Sequence, residues 1–529
     1  MTLPYGSWCP SSLTDRSARV RPELSSSSAD ESALCCCVMS YEQPRYSSGR
    51  FWYADNPGRI VPGRLDLGDT WPRVELLGAL TRFEDDSPSE TPGIILFGPP
   101  EMDNPRTLHG ETLQPYRKIT IINAVSRRRT GQIFSASAVV GDEVLQEETV
   151  EGAYAIVGAH ITNEDAIFPS VRFRIVRQDA WANLSGLMME HGIDGPNKGQ
   201  VAIRYTLPDR LTVPLAGESG TVSLVPEAVV SPPRVAGAYI LTKTWFEVEA
   251  ANGVTVRSAS TKFITSASSL LTMLFAKDCP PSAFEVKDPD SRRWCSVYMP
   301  GFALDSTDVW SPKADDRPLM TREELGLESI ALWFSVVERL TPLPQMIANS
   351  VDAGDRTVQN LLLELATAAE GVHRRLYPDR RVLSDEERDQ ALKAIDGLDV
   401  VASARQALHN AMRTYLWEPS YPQRIKALAA DVAAVVPGVT GKTSRWSNAI
   451  VNARIGFAHG MTRSSSEDEI ITFHILHGSL RWLLTARLLL EAGISPNDLS
   501  TSFARFERYS QFLRQSRRSL PRIYGDETK

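Results

Sequence analysis

Residues 446–460 read Trp-Ser-Asn-Ala-Ile-Val-Asn-Ala-Arg-Ile-Gly-Phe-Ala-His-Gly. Trp446, Ile450, Val451 and Phe457 fall at helical spacing, which buries one face and predicts a helix over 443–459 with Gly460 as its cap. Arg454 and His459 stand near the end of that helix with four residues between them. Positions five apart on an ideal helix point roughly 140° from each other. Both side chains converge only if the helix loosens near Gly456 or at its end, or if a partner subunit completes the site. A permanently cationic arginine beside a titratable histidine suits a phosphodiester: the guanidinium holds non-bridging oxygens and the imidazole exchanges a proton near neutral pH. The string is short, and the other reading is a helix-end histidine that bonds free carbonyls and is favoured by the helix dipole.

Outward from this segment the pattern is helical from Glu323 onward, with helices expected near 324–350, 355–377, 384–395, 399–416, 421–435, 468–492 and 496–514. Segment 470–491 is apolar almost all round, which places it at the centre of a bundle or in an oligomer interface, and Gly493 stops it. Upstream, over 48–300, the period is two. Val171, Phe173 and Ile175 alternate with Arg172 and Arg174, and Asn252-Gly253 between two strand-like runs predicts a type I′ hairpin. Further strands are expected at 93–97, 118–125, 154–158, 201–207 and 221–225. The expected fold class is α+β and multidomain. A β-rich, sandwich-like domain would span 39–310 with a few inserted helices, an all-α bundle 311–520, and a flexible C-terminus 521–529. Residues 288–322 would bridge the two halves.

Composition bounds the function. At 529 residues the chain is too long for one hydrophobic core. A hydrophobic share of 42% and a charged share of 23% exclude a fibrous or wholly disordered chain. No run of eighteen apolar residues exists, so no membrane-spanning helix is expected. A net charge of −7 excludes a uniformly basic nucleic-acid coat but permits a local basic site. Such a site is suggested by residues 440–529, where 13 Lys and Arg face 8 Asp and Glu. Arginine outnumbers lysine 46 to 11 along the whole chain. Codon bias in a GC-rich genome explains that ratio, and phosphate recognition is the alternative.

Of six cysteines, Cys9, Cys35, Cys36 and Cys37 lie in the first thirty-seven residues, and adjacent cysteines cannot splay to a tetrahedral metal. Cys279 and Cys295 are too few for a disulfide framework, which points to a reducing, cytoplasmic setting. Residues 1–38 are rich in Ser and Pro; they read as a disordered tail, or as sequence upstream of a true start at Met39. Residues 436–443 (Val-Pro-Gly-Val-Thr-Gly-Lys-Thr) imitate a phosphate loop, but Val436 stands where glycine is required and a helix precedes. No H-E-x-x-H, C-x-x-C or G-x-S-x-G occurs, so no metalloprotease or α/β-hydrolase is expected. No cofactor is expected.

The wider context of the Arg454–His459 segment resembles the HEPN superfamily of helical RNases and nucleotide-binding modules, in its ApeA-like branch. Residues 361–377 (Leu-Leu-Leu-Glu-Leu-Ala-Thr-Ala-Ala-Glu-Gly-Val-His-Arg-Arg-Leu-Tyr) look like the branch's glutamate-bearing helix. Residues 450–460 look like its R-x4-6-H helix, and 480–495 like its closing helix. In the β half, Gly49-Arg-Phe-Trp52, Ile60-Val-Pro-Gly-Arg-Leu65 and Val74-Glu-Leu-Leu-Gly78 resemble the start of the ApeA N-terminal domain. Tyr154-Ala-Ile-Val-Gly-Ala-His160, then 168–175 and Trp181, resemble its middle.

The resemblance implies a β-rich sensing or docking domain, open to a phage-derived trigger, followed by a HEPN domain that forms homodimers or higher oligomers. It also implies metal-independent RNA cleavage in anti-phage defence, with tRNA as the expected target, by 2′-hydroxyl attack that leaves a cyclic phosphate. Arg454 would bind the scissile phosphate and His459 would serve in acid–base or transition-state chemistry. Lys442, Arg445 and Arg463 bracket the motif and Arg374 shares a helix with Glu370, so these four are candidate RNA contacts and Glu370 a supporting residue. Family motifs usually place a polar residue, often Asn, directly after the arginine. Ile455 stands there instead and counts against full activity, with Asn452 as a candidate substitute. The alternatives are a catalytically weak HEPN module that binds RNA or a nucleotide, and a non-enzymatic oligomeric binding protein. His160 reads as structural, and His474 and His477 as hydrogen-bonded bundle residues.

Overall fold

The alternation in the N-terminal half becomes one antiparallel sheet of thirteen strands, closed on itself at one end and open at the other. A computed structural model describes residues 46–68, 70–80, 104–131, 139–140, 143–144, 146–191, 201–230, 240–302, 317–352, 354–458 and 466–525. The closed end uses β1 (Tyr46–Tyr53), β2 (Asn56–Asp66), β3 (Arg73–Leu77), β4 (Arg106–Leu113) and β5 (Tyr116–Gly131). β6 (Val139–Val140) and β7 (Glu143–Val144) form a minimal ladder of their own, and β8 (Gln146–Glu151) completes the ring. The order β5-β4-β1-β2-β3-β8 returns to β5, so these six strands make a barrel without a free edge. Alternate residues fill it: Phe51, Tyr53, Val61, Leu65, Val74, Leu76, Leu108, Ile119, Ile121 and Val150 are all buried there.

The sheet forks in the middle of β5. Ile119 to Ile122 pair with β9 (Tyr154–Val157), whereas Val125 to Gly131 pair with β8. At the fork Asn123 takes φ 54, and β5 carries one extra residue against β4 there. From β9 an open wing continues through β10 (Phe168–Ile175), β13 (Leu211–Pro214), β14 (Gly220–Val230), β15 (Ile240–Val254), β16 (Pro281–Lys287) and β17 (Trp294–Tyr298). The spatial order is β9-β17-β16-β10-β15-β14-β13. β11 (Leu187–His191) and β12 (Val201–Tyr205) stand apart as a hairpin. The arrangement is thus a barrel with a wing, where alternation alone suggested a sandwich. The 93–97 strand expectation lies outside the described residues.

Asn252-Gly253 does not turn a hairpin. β15 runs straight through it, and the register against β10 slips between Ser170↔Glu249 and Phe168↔Val254. Gly253 has φ 70, and a Cβ there would meet Ile167 Cγ2 at 2.2 Å, so glycine serves a bulge under a close neighbour.

One face of the wing is apolar and covers a helical run over 256–275, which contains a π-helical stretch at Ala259–Ile264. The same core continues without interruption from Phe173, Phe246 and Phe284 through Leu270 and Phe275 to Trp333, Trp446 and Trp482. Trp333 Nε1 donates to the Ser266 carbonyl at 2.7 Å across that boundary. Beyond it the chain is helical, with breaks at Gly326, Pro342 and Phe506 dividing segments that periodicity had merged. Glu467–Glu491 is the central helix, begun by a Ser466–Glu469 capping box and buried on most faces. Val358–Leu376, Tyr421–Val432 and Thr443–Ala458 pack around it. Asp385–Asp396 and Ala402–Ala411 form a pair of which only Ile395 is buried.

Candidate functional site

Three helices bring their side chains together around Arg454. The Thr443–Ala458 helix is anchored by buried Trp446, Ile450 and Ala453, which leaves Arg454 at the margin of its packed face. Ser420 and Gln423 cap the Tyr421–Val432 helix, with Pro422 in its first turn. That start fixes Tyr421, whose hydroxyl donates to the Ala366 carbonyl at 3.1 Å. Val358–Leu376 is begun by Thr357, whose side chain accepts from the Asn360 amide, and it presents Glu370 from the same neighbourhood.

Arg454 Nη2 lies 2.8 Å from Glu370 Oε2, and its guanidinium carbon sits 4.3 Å from the centroid of the Tyr421 ring. Glu370 Oε1 also accepts from Arg374 at 3.3 Å. Arg374 Nη1 reaches Glu418 Oε2 at 2.7 Å, and Arg424 Nη2 reaches the same oxygen at 2.8 Å. Arg424 Nη1 is 3.2 Å from His373 Nδ1, which must accept because arginine only donates. Burial, then the charges of Arg424 and Arg380, push His373 down to about 4, so it is neutral at pH 7. Burial likewise raises the Tyr421 hydroxyl, which stays protonated. Three arginines therefore share two carboxylates, leaving one positive charge over. The Arg454 side chain keeps 32% of its surface exposed, so an incoming oxyanion can reach it. Chemically the cluster offers a stacked, oriented guanidinium with surplus positive charge.

The structure brings together Arg454, Glu370 and Arg374. Lys442 and Arg445 lie at the opposite end of the Thr443–Ala458 helix, twelve and nine residues away, or roughly 18 and 14 Å along its axis. There Arg445 Nη1 donates to the Arg522 carbonyl and the Lys442 amide to the Ile523 carbonyl, each at 2.8 Å. Asn452 is exposed and sits roughly 200° around the helix from Arg454. Ile455 is 44% exposed. The helix continues without a break through Gly456 to Ala458, and His459 and Arg463 lie outside the described residues. Tyr421, Glu418 and Arg424 were not singled out in the sequence; no local spacing connects them to Arg454.

The 436–443 segment is a turn following a helix. Gly441 has φ 54, and a Cβ there would meet the Ile523 carbonyl oxygen at 2.4 Å, so the chain's own C-terminal turn packs on it. In the barrel, His160 stacks on His109 with ring centroids 4.6 Å apart, and its Nε2 bonds the Gly110 carbonyl at 3.0 Å. His477 is buried, whereas His474 is exposed. Among the described residues, no helix is long and apolar enough to cross a membrane. Cys279 and Cys295 are buried free thiols, each pushed by burial up to about 12.

No curated protein and no solved structure matches the chain. The family described as ApeA N-terminal domain 1 matches residues 47–332, the barrel, the wing and the first bundle helix. The family described as Apea-like HEPN matches residues 363–498, which carry Glu370, Tyr421 and Arg454. The order of the two matches, and their coverage of more than half of the sequence, show that this chain belongs to the ApeA-like HEPN family.

Proposed function

We propose that this protein is a HEPN endoribonuclease of anti-phage defence, cleaving RNA, with tRNA as the leading target. The observation that carries the reading is Arg454, stacked on Tyr421 and paired with Glu370, on the helix that leads into His459. In this reading Arg454 binds the non-bridging oxygens of the scissile phosphate and stabilises the charge that builds on them. The ribose 2′-hydroxyl attacks in line, the 5′-oxygen leaves, and a 2′,3′-cyclic phosphate remains. His459 moves the proton, and no metal takes part. Two copies place their motifs in one cleft through the helical part, 311–520, while the β-rich part, 39–310, receives a phage-derived trigger in the cytoplasm. Lys442, Arg445 and Arg463 contact the RNA beyond the cleft. Incubating purified protein with total tRNA in EDTA, beside His459→Ala, tests it: cyclic-phosphate fragments from the wild type alone support the enzyme.

A second reading is a HEPN module that binds RNA without efficient cleavage. It is favoured by Ile455, apolar and exposed next to Arg454 where a polar residue is usual. RNA binding by wild type, with no fragments under any condition, would select it.

A further inference from the structure

A different pair of arginines on the bundle has no counter-charge. Arg481, on the Glu467–Glu491 helix, makes no ion pair and no hydrogen bond among the described residues, and its Nε is buried without a partner. Its guanidinium lies 4.7 Å over the Trp482 ring. Arg508 belongs to the Glu507–Ser519 helix, which packs on Glu467–Glu491; its Nε is buried and unpartnered too, and its charge bears on Arg481. His474 and His477 share the helix face of Arg481, three and four residues apart in turn, and the buried Nε2 of His477 also has no partner. Elsewhere in the bundle, buried arginines have carboxylates: Arg424 has Glu418, and Arg487 has Glu491 and Asp431. Here none is supplied.

Two guanidiniums held half-buried without an anion weaken the fold, because desolvated like charges go uncompensated. Such a pair fits a ligand that brings its own negative charge and matches planar forks, which describes a phosphate. Burial, then the charge of Arg508, lowers Arg481 to about 10, so it remains cationic at neutral pH. Position adds to this. Phe457, near the end of the Arg454 helix, meets Phe473 with ring centroids 4.8 Å apart. His474 comes next, and Arg481 follows roughly 10 Å further along the helix.

We propose that Arg481 and Arg508 form a subsite for an RNA backbone phosphate remote from the scissile one. The inference rests on the ribonuclease reading and extends its substrate contacts away from Arg454.

The test uses full-length His459→Ala protein, to prevent turnover, and a fluorescent single-stranded RNA followed by anisotropy across a salt series. Adding Arg481→Gln and Arg508→Gln together should weaken binding about tenfold at low salt and reduce the log–log salt slope by roughly 1.4, about 0.7 per lost phosphate contact. An unchanged affinity and slope would overturn the subsite while leaving the ribonuclease reading intact. Absence of RNA binding by the parent, with no cleavage by wild type, would overturn both. Arg481→Met supplies a readout that a packing role would not give: removing an unpaired charge should raise the melting temperature. A lower one would make Arg481 a structural residue and defeat the proposal.

Discussion

Arg454 and Glu370 stand 84 residues apart in sequence and meet at 2.8 Å between two helices. The pair is partly exposed, so its own contribution to stability is small, about 1 kcal/mol or less. A hydrogen bond to a fully charged oxyanion is worth about 1.5–3 kcal/mol, so a bidentate phosphate can take Arg454 from Glu370. Glu370 is therefore better suited to aim the guanidinium than to lock it, and Tyr421 holds the plane in which it swings.

Glu370→Gln separates aiming from binding. Loss of the carboxylate should slow single-turnover RNA cleavage about tenfold or more, since small misplacements of a catalytic group are costly. Affinity for RNA should hold or rise, because one negative charge leaves a basic cluster. Weakened binding with an unchanged cleavage rate would contradict the assignment.

Tyr421 offers two functions that substitution can divide. Its ring lies under Arg454 and its hydroxyl bonds the Ala366 carbonyl. Tyr421→Phe should retain cleavage and lose about 1 kcal/mol of stability, the usual worth of one hydrogen bond. Tyr421→Leu removes the stacking face as well and should reduce cleavage several-fold further, in line with a cation–π contact of about 1 kcal/mol. Equal activity of the two variants would remove the ring from the mechanism.

What the sequence reveals here follows from range. The 443–458 and 467–491 helices are legible because their apolar positions repeat within a few turns. Glu370 and Arg374 are legible as an i,i+4 pair on one helix. Arg454's partnership with Glu370 entered only through family resemblance, and Tyr421, Glu418 and Arg424 were invisible because tertiary packing alone joins them. The barrel is hidden for the same reason: its closure depends on β5 exchanging β9 for β8 at Asn123, a choice made by long-range register. Asn252-Gly253 misled because the same left-handed glycine suits a hairpin and a bulge, and only the opposing strand decides between them.

Acid should destabilise the bundle through His373. Its folded value of about 4 lies below the ordinary 6.5, so the unfolded chain takes up a proton first as pH falls. Stability is complete above about pH 6.5 and declines towards pH 4, with about 2 kcal/mol lost by pH 5 from this residue. His373→Gln, which can still accept from Arg424, should flatten the fall in melting temperature between pH 7 and pH 5. A curve parallel to wild type would place the acid sensitivity elsewhere.

The loop at 436–443 should behave as structure. Gly441→Ala introduces a Cβ against the Ile523 carbonyl at a positive φ, and should cost roughly 1–3 kcal/mol by melting temperature. Loss of nucleotide binding without loss of stability would restore the phosphate-loop reading.

Ile455→Asn tests whether this site is a weakened member of its family. The side chain is 44% exposed, so the change should alter stability by less than about 0.5 kcal/mol. It adds an amide one residue from Arg454, able to donate to a phosphate oxygen or to orient the attacking ribose. If an apolar neighbour is what limits the chemistry, the single-turnover rate on tRNA should rise several-fold while affinity changes little. If the wild type is already fully active, the rate should stay level, and the restraint on this enzyme would have to act elsewhere, with the β-rich half as the first place to look. A fall in rate would mean that Ile455 itself packs against bound RNA, and would move it from a departure in the motif to a contact of the substrate.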